Sequence, residues 1–177
     1  LTPNGVLDAS KDEAKIRAWW GALGTPKANI GIATGKISNL IVVDLDIDKG
    51  ADFEIFNLEF DDIPPETVGV KTGGGFHYYY ALPAGAEIKN SASKLGKFID
   101  VRGEGGYVIA PPSTHISGTV YEFINPEITR LLEFPSEWLN KLNNPQNSFQ
   151  PSASSGNGNG SYPVNGLFVP PPSEGLK

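Results

Sequence analysis

Hydrophobic residues recur along the N-terminal part of the chain at the three-to-four spacing of a helix, which predicts a helix over residues 11–23. Ser10 and Glu13 stand at the spacing of a capping box at its start. A second helical spacing, carried by phenylalanines, predicts a helix over 52–60. Two short helices are predicted further on, over 126–133 and over 137–142, the latter with Ser136 as its cap.

Short apolar runs bounded by glycine or proline lie between these segments and are typical of strands. Residues 40–43 are apolar at every position and run into the acidic segment 44–46, which predicts a central strand buried on both faces. The other predicted strands cover residues 29–34, 67–71, 76–82, 97–102, 107–110 and 120–124. We therefore predict a mixed α and β domain over residues 1–143.

The composition of the chain changes at residue 144. Of the last 34 residues, 22 are Pro, Ser, Gly or Asn, and such a stretch cannot bury enough apolar area to offset the entropy of ordering it. We predict a flexible linker over 144–177 that leads to a further domain, with a plain disordered tail as the alternative. Because position 1 is not Met, the chain is expected to be a fragment of a longer protein.

The overall composition excludes several classes of function. Cys is absent, which excludes disulfides, thiol nucleophiles and cysteine-ligated zinc. The formal net charge of −6 gives no sign of a broad basic surface for nucleic acid. No apolar run approaches the ~18 residues that a membrane span needs, and no signal-peptide pattern opens the chain. We therefore expect a cytoplasmic chain without a membrane partner.

The first candidate chemical feature is the pair Asp44 and Asp46 at the end of the apolar strand. Side chains two residues apart on a strand lie on the same face, and adjacent carboxylates repel each other unless a cation is present. Oxygen ligands at this spacing suit Mg²⁺ or Mn²⁺. The alternative is a strand that leaves the core into an acidic turn, with Asp48 and Asp52 as solvated neighbours.

A further carboxylate, Asp100, lies inside another apolar strand, with Arg102 on the same face. Three acids on buried strands are what a two-metal phosphoryl-transfer site needs. The alternative is a local ion pair between Asp100 and Arg102 at a strand end. Arg102 can also fork onto phosphate oxygens, and the glycine-rich segment 103–106 permits a tight turn or a phosphate contact.

A second glycine-rich segment, 73–75, stands between Lys71 and His77. Glycines let backbone N–H groups approach an anion closely, and His77 opens an aromatic strand. The alternatives are a turn that joins two hairpin strands and a histidine with a structural hydrogen bond. His115 lies in a segment with the composition of a loop and receives no role.

Four segments in order, residues 29–35, 42–46, 72–79 and 99–113, carry a recognisable pattern. Together they resemble the N-terminal bifunctional DNA primase/polymerase domain of phage, plasmid and mobile-element replication proteins, in the archaeo-eukaryotic primase superfamily. The resemblance covers about residues 10–143. It implies an α+β fold with an RRM-like, mainly antiparallel palm sheet and flanking helices.

The resemblance also implies the chemistry of the acidic residues. Asp44 and Asp46 match the family's paired acids and Asp100 matches its third acid, which together would hold two divalent ions, Mg²⁺ or Mn²⁺. His77 matches the histidine that contacts the phosphates of the incoming nucleotide. Some relatives carry a zinc-binding stem, but no zinc is expected here because the chain has no Cys.

Three further positions are implied as nucleotide-binding residues. Lys71 and Arg102 match triphosphate contacts by position. Gly75 stands where related primases often have the Ser of a Ser-x-His motif, so a backbone N–H is expected to replace the hydroxyl contact. The family often continues into a superfamily 3 or DnaB-like helicase, which agrees with the predicted linker.

The leading hypothesis is a DNA-dependent nucleotidyltransferase, a DNA primase/polymerase that adds dNTPs or NTPs to a primer or a starting nucleotide. Its expected partners are a single-stranded DNA template, a primer and a fused or associated helicase, in the cytoplasm of a prokaryotic or virus-infected cell. One rival is a non-catalytic single-stranded nucleic-acid-binding module that stacks bases on Phe76, Tyr78 and Tyr80. Another is a DxD sugar-nucleotide transferase, which would need a long parallel βαβ series.

Overall fold

The computed structural model describes residues 3–22, 28–52 and 67–144. The helix predicted over 52–60 and the linker predicted over 144–177 lie outside these ranges except at their first residue. The described helices are α1 (Glu13–Ala22) and α2 (Ser136–Asn143). The described strands are β1 (Ile30–Ala33), β2 (Leu40–Leu45), β3 (Gly69–Lys71), β4 (Phe76–Ala81), β5 (Ser91–Gly96), β6 (Ile99–Arg102), β7 (Tyr107–Ala110), β8 (Glu122–Phe123) and β9 (Leu132–Glu133).

Seven strands form one sheet, in the order β5-β6-β2-β4-β3-β8 with β9 paired to β4. Its pairings are antiparallel except that of β9 with β4, and β1 and β7 form a separate antiparallel pair. The α+β class and the mainly antiparallel sheet are therefore confirmed, with β2 inside the sheet as the apolar run at 40–43 predicts. The described strands contain no parallel βαβ series, so the sugar-nucleotide transferase hypothesis is not supported.

The predicted strands are confirmed, although most are shorter than predicted, and two further strands appear that the sequence pattern does not indicate. One of them, β5, is polar along most of its length, and only Leu95 and Gly96 are buried. Its pairing with β6 is interrupted by a shift of register between Ser91 and Gly96. An irregular edge strand of this kind has no alternation of apolar and polar residues by which it could be recognised.

The N-terminal caps of both helices differ from those predicted. Asp12 rather than Ser10 caps α1, because Asp12 Oδ1 accepts a hydrogen bond from the N–H of Lys15 at 2.9 Å, whereas the Ser10 hydroxyl accepts from the N–H of Asp12. The charge of a carboxylate is favoured at the positive end of a helix dipole. The helix predicted over 137–142 is confirmed as α2, but Ser136 is its first residue, after Pro135, and no side chain caps it.

The prediction of a helix over 126–133 is wrong. This segment contains a turn followed by β9, which lies parallel to β4 with Leu132 paired to Tyr80. The N–H of Leu132 also donates a hydrogen bond to the hydroxyl of Thr67 at 3.3 Å. Backbone pairing with a distant strand therefore overrides the local helical spacing, which is a weak preference by comparison.

The main hydrophobic core lies on the face of the sheet that α2 covers. Trp138 of α2 is fully buried, and its ring meets those of Tyr80 and Phe134 edge-on at centroid distances of 5.4 and 5.6 Å. Tyr78 belongs to the same core and Phe76 packs against it. These aromatic side chains therefore do not form the exposed stacking platform that the binding-module hypothesis requires. In the described ranges no helix is long and apolar enough to cross a membrane.

The opposite face of the sheet carries a smaller hydrophobic cluster and the candidate site. Alternate residues of β2 point into the main core, namely Ile41, Val43 and Leu45. Val42, between them, belongs to the smaller cluster together with Tyr79 and Tyr121. Because side chains alternate along a strand, Asp44 lies on the same face as Val42.

Candidate functional site

Three polar side chains lie in one row across the middle of the sheet. Asp44 of β2 stands directly opposite His77 of β4 on one side and directly opposite Asp100 of β6 on the other. Residues that stand opposite each other on antiparallel strands project to the same face. The structure thus brings together three predicted site residues that are far apart in the sequence, and we call them the acid–histidine row.

Asp44 lies in the centre of the row, and its neighbours keep it in the charged form although it is largely buried. Its side chain is 16% exposed, its Oδ1 lies 3.4 Å from His77 Nε2, and its Oδ2 lies 2.8 Å from Arg102 Nη2. Burial alone would raise the pKa of this carboxyl group, but His77 and Arg102 outweigh it and hold the pKa below its ordinary value. Asp44 is therefore a carboxylate at neutral pH.

Arg102 joins two acids of the row. Its guanidinium reaches Asp44 Oδ2 through Nε at 3.2 Å as well as through Nη2, and Nη2 also reaches Asp100 Oδ2 at 3.1 Å. The ion pair with Asp100 that the sequence offers as an alternative is therefore present, and it extends across the sheet to Asp44. Burial lowers the pKa of Arg102, but the surrounding carboxylates outweigh it and raise the pKa.

Asp46 lies just beyond the end of β2, at the start of a short 3₁₀ turn, Ile47–Lys49. Its Oδ2 accepts a hydrogen bond from Lys49 Nζ at 2.8 Å. That bond is the main reason why the pKa of Lys49 is raised, with smaller contributions from the charges of Asp44 and Asp100. All three acids predicted as metal ligands therefore contribute to the raised pKa of Lys49.

The donor set fits a hard divalent cation in its chemistry, because Asp44, Asp46 and Asp100 offer carboxylate oxygens. Each of them, however, is held by a cation of the chain, Arg102 or Lys49. In the part of the chain that the structure describes, no group of three or more Asp, Glu and His side chains is arranged to hold a metal ion. A divalent ion bound by these carboxylates would therefore compete with the two cationic side chains for the same oxygens.

His77 is almost fully buried beside the row. Its side chain is 8% exposed, and its ring lies 6.4 Å from that of Tyr79 and 6.1 Å from that of Tyr121, centroid to centroid. Nε2 faces Asp44, whereas Nδ1 is buried and has no hydrogen-bond partner among the described residues. A buried polar atom without a partner is costly in a folded protein, so Nδ1 is a position where a bound group would be favoured.

The glycine loop, residues 72–75, is fastened to the end of β2. A Cβ atom added at Gly75 would collide with the carbonyl oxygen of Leu45, so only glycine fits there. The N–H of Asp48 donates to the carbonyl of Gly74 at 2.9 Å. A serine hydroxyl at position 75 is thus excluded by close packing, and the loop lies next to the acidic end of β2. Lys71, at the end of β3, is exposed beside this loop.

The segment 103–106 connects the two sheets, and its first backbone N–H groups already donate hydrogen bonds within the protein. The N–H of Gly103 donates to Asn90 Oδ1 at 2.8 Å, and that of Glu104 donates to the carbonyl of Ile88 at 2.7 Å. The carbonyl of Gly103 also accepts a hydrogen bond from the hydroxyl of Thr34 at 2.6 Å. These bonds favour a structural turn over the phosphate contact that the glycines permitted.

Sequence reasoning missed two aromatic residues near the row, His115 and Tyr121. The ring of Tyr121 neighbours both histidines, with its centroid 6.1 Å from that of His77 and 6.3 Å from that of His115. The ring of His115 in turn lies so close to Gly73 that a Cβ atom there would collide with it. The only signal in the sequence was that His115 is one of two histidines, which does not reveal its neighbours.

The comparisons with known proteins agree with the motifs and the fold. No curated protein matches the sequence. The Prim-Pol family, described as the bifunctional DNA primase/polymerase N-terminal domain, matches residues 1–138 of the 177. This match covers all the described strands and the acid–histidine row. The family resemblance carried by the four segments is therefore confirmed, and the chain belongs to the Prim-Pol family of bifunctional DNA primase/polymerase N-terminal domains.

Proposed function

We propose that this domain adds nucleotides to a DNA primer, or to a starting nucleotide, under the direction of a single-stranded DNA template. Prim-Pol membership implies a nucleotidyltransferase-type enzyme of the DNA primase/polymerase class. In the proposed reaction the 3′-oxygen bonds to the α-phosphate of the incoming nucleotide, the bond to pyrophosphate breaks, and the hydroxyl proton passes to water. The observation that carries the proposal is the acid–histidine row across three adjacent strands.

Asp44, Asp46 and Asp100 are the proposed ligands of two divalent ions, Mg²⁺ or Mn²⁺. When bound, such ions stabilise the charge on the attacking and leaving oxygens. The support for this part of the proposal is the hard oxygen donor set and the lowered pKa of Asp44, which keeps that carboxylate charged. Because Arg102 and Lys49 hold the same oxygens here, they are expected to leave them when the ions bind.

The phosphates of the incoming nucleotide are proposed to lie at the glycine loop. His77 offers Nδ1, which is buried and lacks a partner among the described residues. Because Nε2 faces the Asp44 carboxylate, Nδ1 donates to a phosphate oxygen in the imidazolium form of the ring.

Arg102, once released by the acids, and the exposed Lys71 are proposed to supply positive charge to phosphate oxygens. Lys71 stands opposite Phe76, on the other face of the sheet from the row, so its side chain has to reach the phosphates around the glycine loop. Gly75 contributes backbone alone, because its close packing on Leu45 leaves no room for a side chain.

The proposed substrates are a single-stranded DNA template, a primer and dNTPs or NTPs. The proposed setting is replication of a phage, plasmid or mobile element in the cytoplasm of a prokaryotic or virus-infected cell, with a fused or associated helicase. The support for this setting is the family to which the chain belongs.

Templated primer extension tests the proposed function. A labelled primer is annealed to four templates that differ in the first unpaired base, and each dNTP is supplied singly with Mg²⁺ or Mn²⁺. We expect addition of the complementary nucleotide by the wild type and by Glu137→Gln, which removes an exposed carboxylate on α2, and a loss of addition in Asp44→Asn. Addition that ignores the template, or no addition while DNA still binds, would contradict the proposal.

A further inference from the structure

A loop that the site described above does not use covers the glycine loop. The N–H of His115 donates to the carbonyl of Thr119 at 2.8 Å, and the N–H of Gly118 donates to the carbonyl of His115 at 2.9 Å. A bridge between Thr114 and Val120 closes the loop. The ring of His115 is thereby held against Gly73, at a distance too short for any side chain on that glycine.

The hydrogen-bond partners of His115 favour one position for its proton. The backbone N–H of Ser117 lies 3.2 Å from Nδ1, and a backbone N–H can only donate, so Nδ1 accepts. The hydroxyl of Ser117 lies 2.9 Å from the same nitrogen and, with Nδ1 as the acceptor, donates its hydrogen to it. A neutral imidazole whose Nδ1 accepts carries its hydrogen on Nε2. Among the described residues, no acceptor is recorded for this Nε2–H.

His115 also belongs to the surroundings of the acid–histidine row. Its ring and that of His77 both neighbour the ring of Tyr121. Burial raises the pKa of Tyr121, and the charge of Asp44 adds to the effect, so Tyr121 lies within electrostatic range of the row. The ring of His115 thus shares Tyr121 as a neighbour with His77 and lies beside the glycine loop, where its atoms nearest to a Cβ added at Gly73 are Cγ and Nδ1.

We propose that His115 is a second nucleotide-binding histidine, whose Nε2–H donates a hydrogen bond to the phosphate chain of a nucleoside triphosphate at the glycine loop. This inference rests on the proposed function for the identity of the ligand. The ligand class follows from the chemistry, because a phosphate oxygen is a strong acceptor and glycines allow an anion to approach the backbone closely. Ser117 keeps the donor on the correct nitrogen by occupying the other one.

Two substitutions separate this role from a merely structural one. His115→Asn keeps an acceptor in place of Nδ1 for the N–H of Ser117 and removes the donor at the ε position. His115→Gln keeps an N–H donor near the position of Nε2. Equilibrium binding of a dNTP with Mg²⁺ is measured by calorimetry for both variants and the wild type, together with KM and kcat for primer extension and the melting temperature.

We expect His115→Asn to bind dNTP about tenfold more weakly, since a hydrogen bond to a charged group is lost, and to raise KM with kcat nearly unchanged. His115→Gln is expected to stay within about threefold of the wild type. Equal weakening in both variants, or none in His115→Asn, would overturn the inference while leaving the proposed function intact. If the wild type itself binds no dNTP, the proposed function and the inference fail together.

Discussion

Arg102 binds two of the three acids that are proposed as metal ligands, so we expect its removal to strengthen metal binding. The guanidinium lies 2.8 Å from Asp44 Oδ2 and 3.1 Å from Asp100 Oδ2. A divalent ion bound by the same oxygens competes with the guanidinium, so the free energy of the contacts that are lost is subtracted from the free energy of metal binding. Arg102→Gln is therefore expected to bind Mn²⁺ more tightly than the wild type when no nucleotide is present.

The magnitude follows from the number and exposure of these contacts. A hydrogen bond to a charged group contributes about 1.5–3 kcal/mol, and the Arg102 side chain is 36% exposed, so solvent screens part of it. A net gain of about 1–2 kcal/mol is expected, or about 5- to 30-fold in the dissociation constant for Mn²⁺. Repulsion between Asp44 and Asp100 after the removal of Arg102 acts in the same direction, because a bound cation relieves it.

The assay is titration of Mn²⁺ followed by electron paramagnetic resonance of the free ion, with circular dichroism as a check of folding. Lys71→Gln is the matched control, because it removes an exposed cation near the glycine loop that forms no ion pair with the row in the described structure. Arg102→Lys, which keeps the charge without the fork, is expected to lie between wild type and Arg102→Gln. Unchanged or weaker Mn²⁺ binding by a folded Arg102→Gln would refute the reasoning.

Three further predictions concern stability and are measured by urea unfolding. The pKa of Asp44 is lowered in the folded state, so its charge stabilises the fold above the ordinary pKa of 3.8 and ceases to do so as the pH falls through the folded pKa. The difference in unfolding free energy between wild type and Asp44→Asn should therefore shrink between pH 6 and pH 2. A difference that stays constant over this range would contradict the prediction. Gly75→Ser is expected to cost about 1–3 kcal/mol through collision with the backbone, whereas Gly31→Ser, with only an ordinary contact at 3.8 Å, should cost less; equal costs would argue against the close packing. Trp138→Ala is expected to cost about 3–5 kcal/mol because the side chain is fully buried, and a cost below about 1 kcal/mol would show that α2 does not cover the core.

The elements that could be predicted best from the sequence are those whose burial requires a recognisable pattern of apolar residues. The run at 40–43 is apolar on both faces, and β2 indeed has neighbours on both sides. The predicted helix over 126–133 failed because β9 depends on backbone bonds to β4, which the local spacing does not contain. β5 was missed because an irregular, polar edge strand has no periodicity.

The residues of the candidate site could be predicted from the sequence, but their positions relative to one another could not. Asp44, His77 and Asp100 were singled out individually, but only the register of β2 with β4 and β6 places them opposite one another. Strand register depends on pairing between distant segments, which the sequence of one segment does not specify. The position of His115 depends on a loop that folds back onto Gly73, and no local pattern predicts such a contact.

The central claim, that the carboxylates of the row carry the nucleotidyl transfer, is tested most directly by the rate of the first templated addition. Wild type, Asp100→Asn, the double variant Asp44→Asn/Asp100→Asn and the control Glu137→Gln are compared on one primed template with saturating dNTP and Mg²⁺. We expect Asp100→Asn to be slower by about a thousandfold or more, since metal ligation contributes several kcal/mol to the barrier. The double variant is expected to be little slower than the single one, because residues that act as one unit are not additive. A folded Asp100→Asn that extends the primer within a few-fold of the control would contradict the claim.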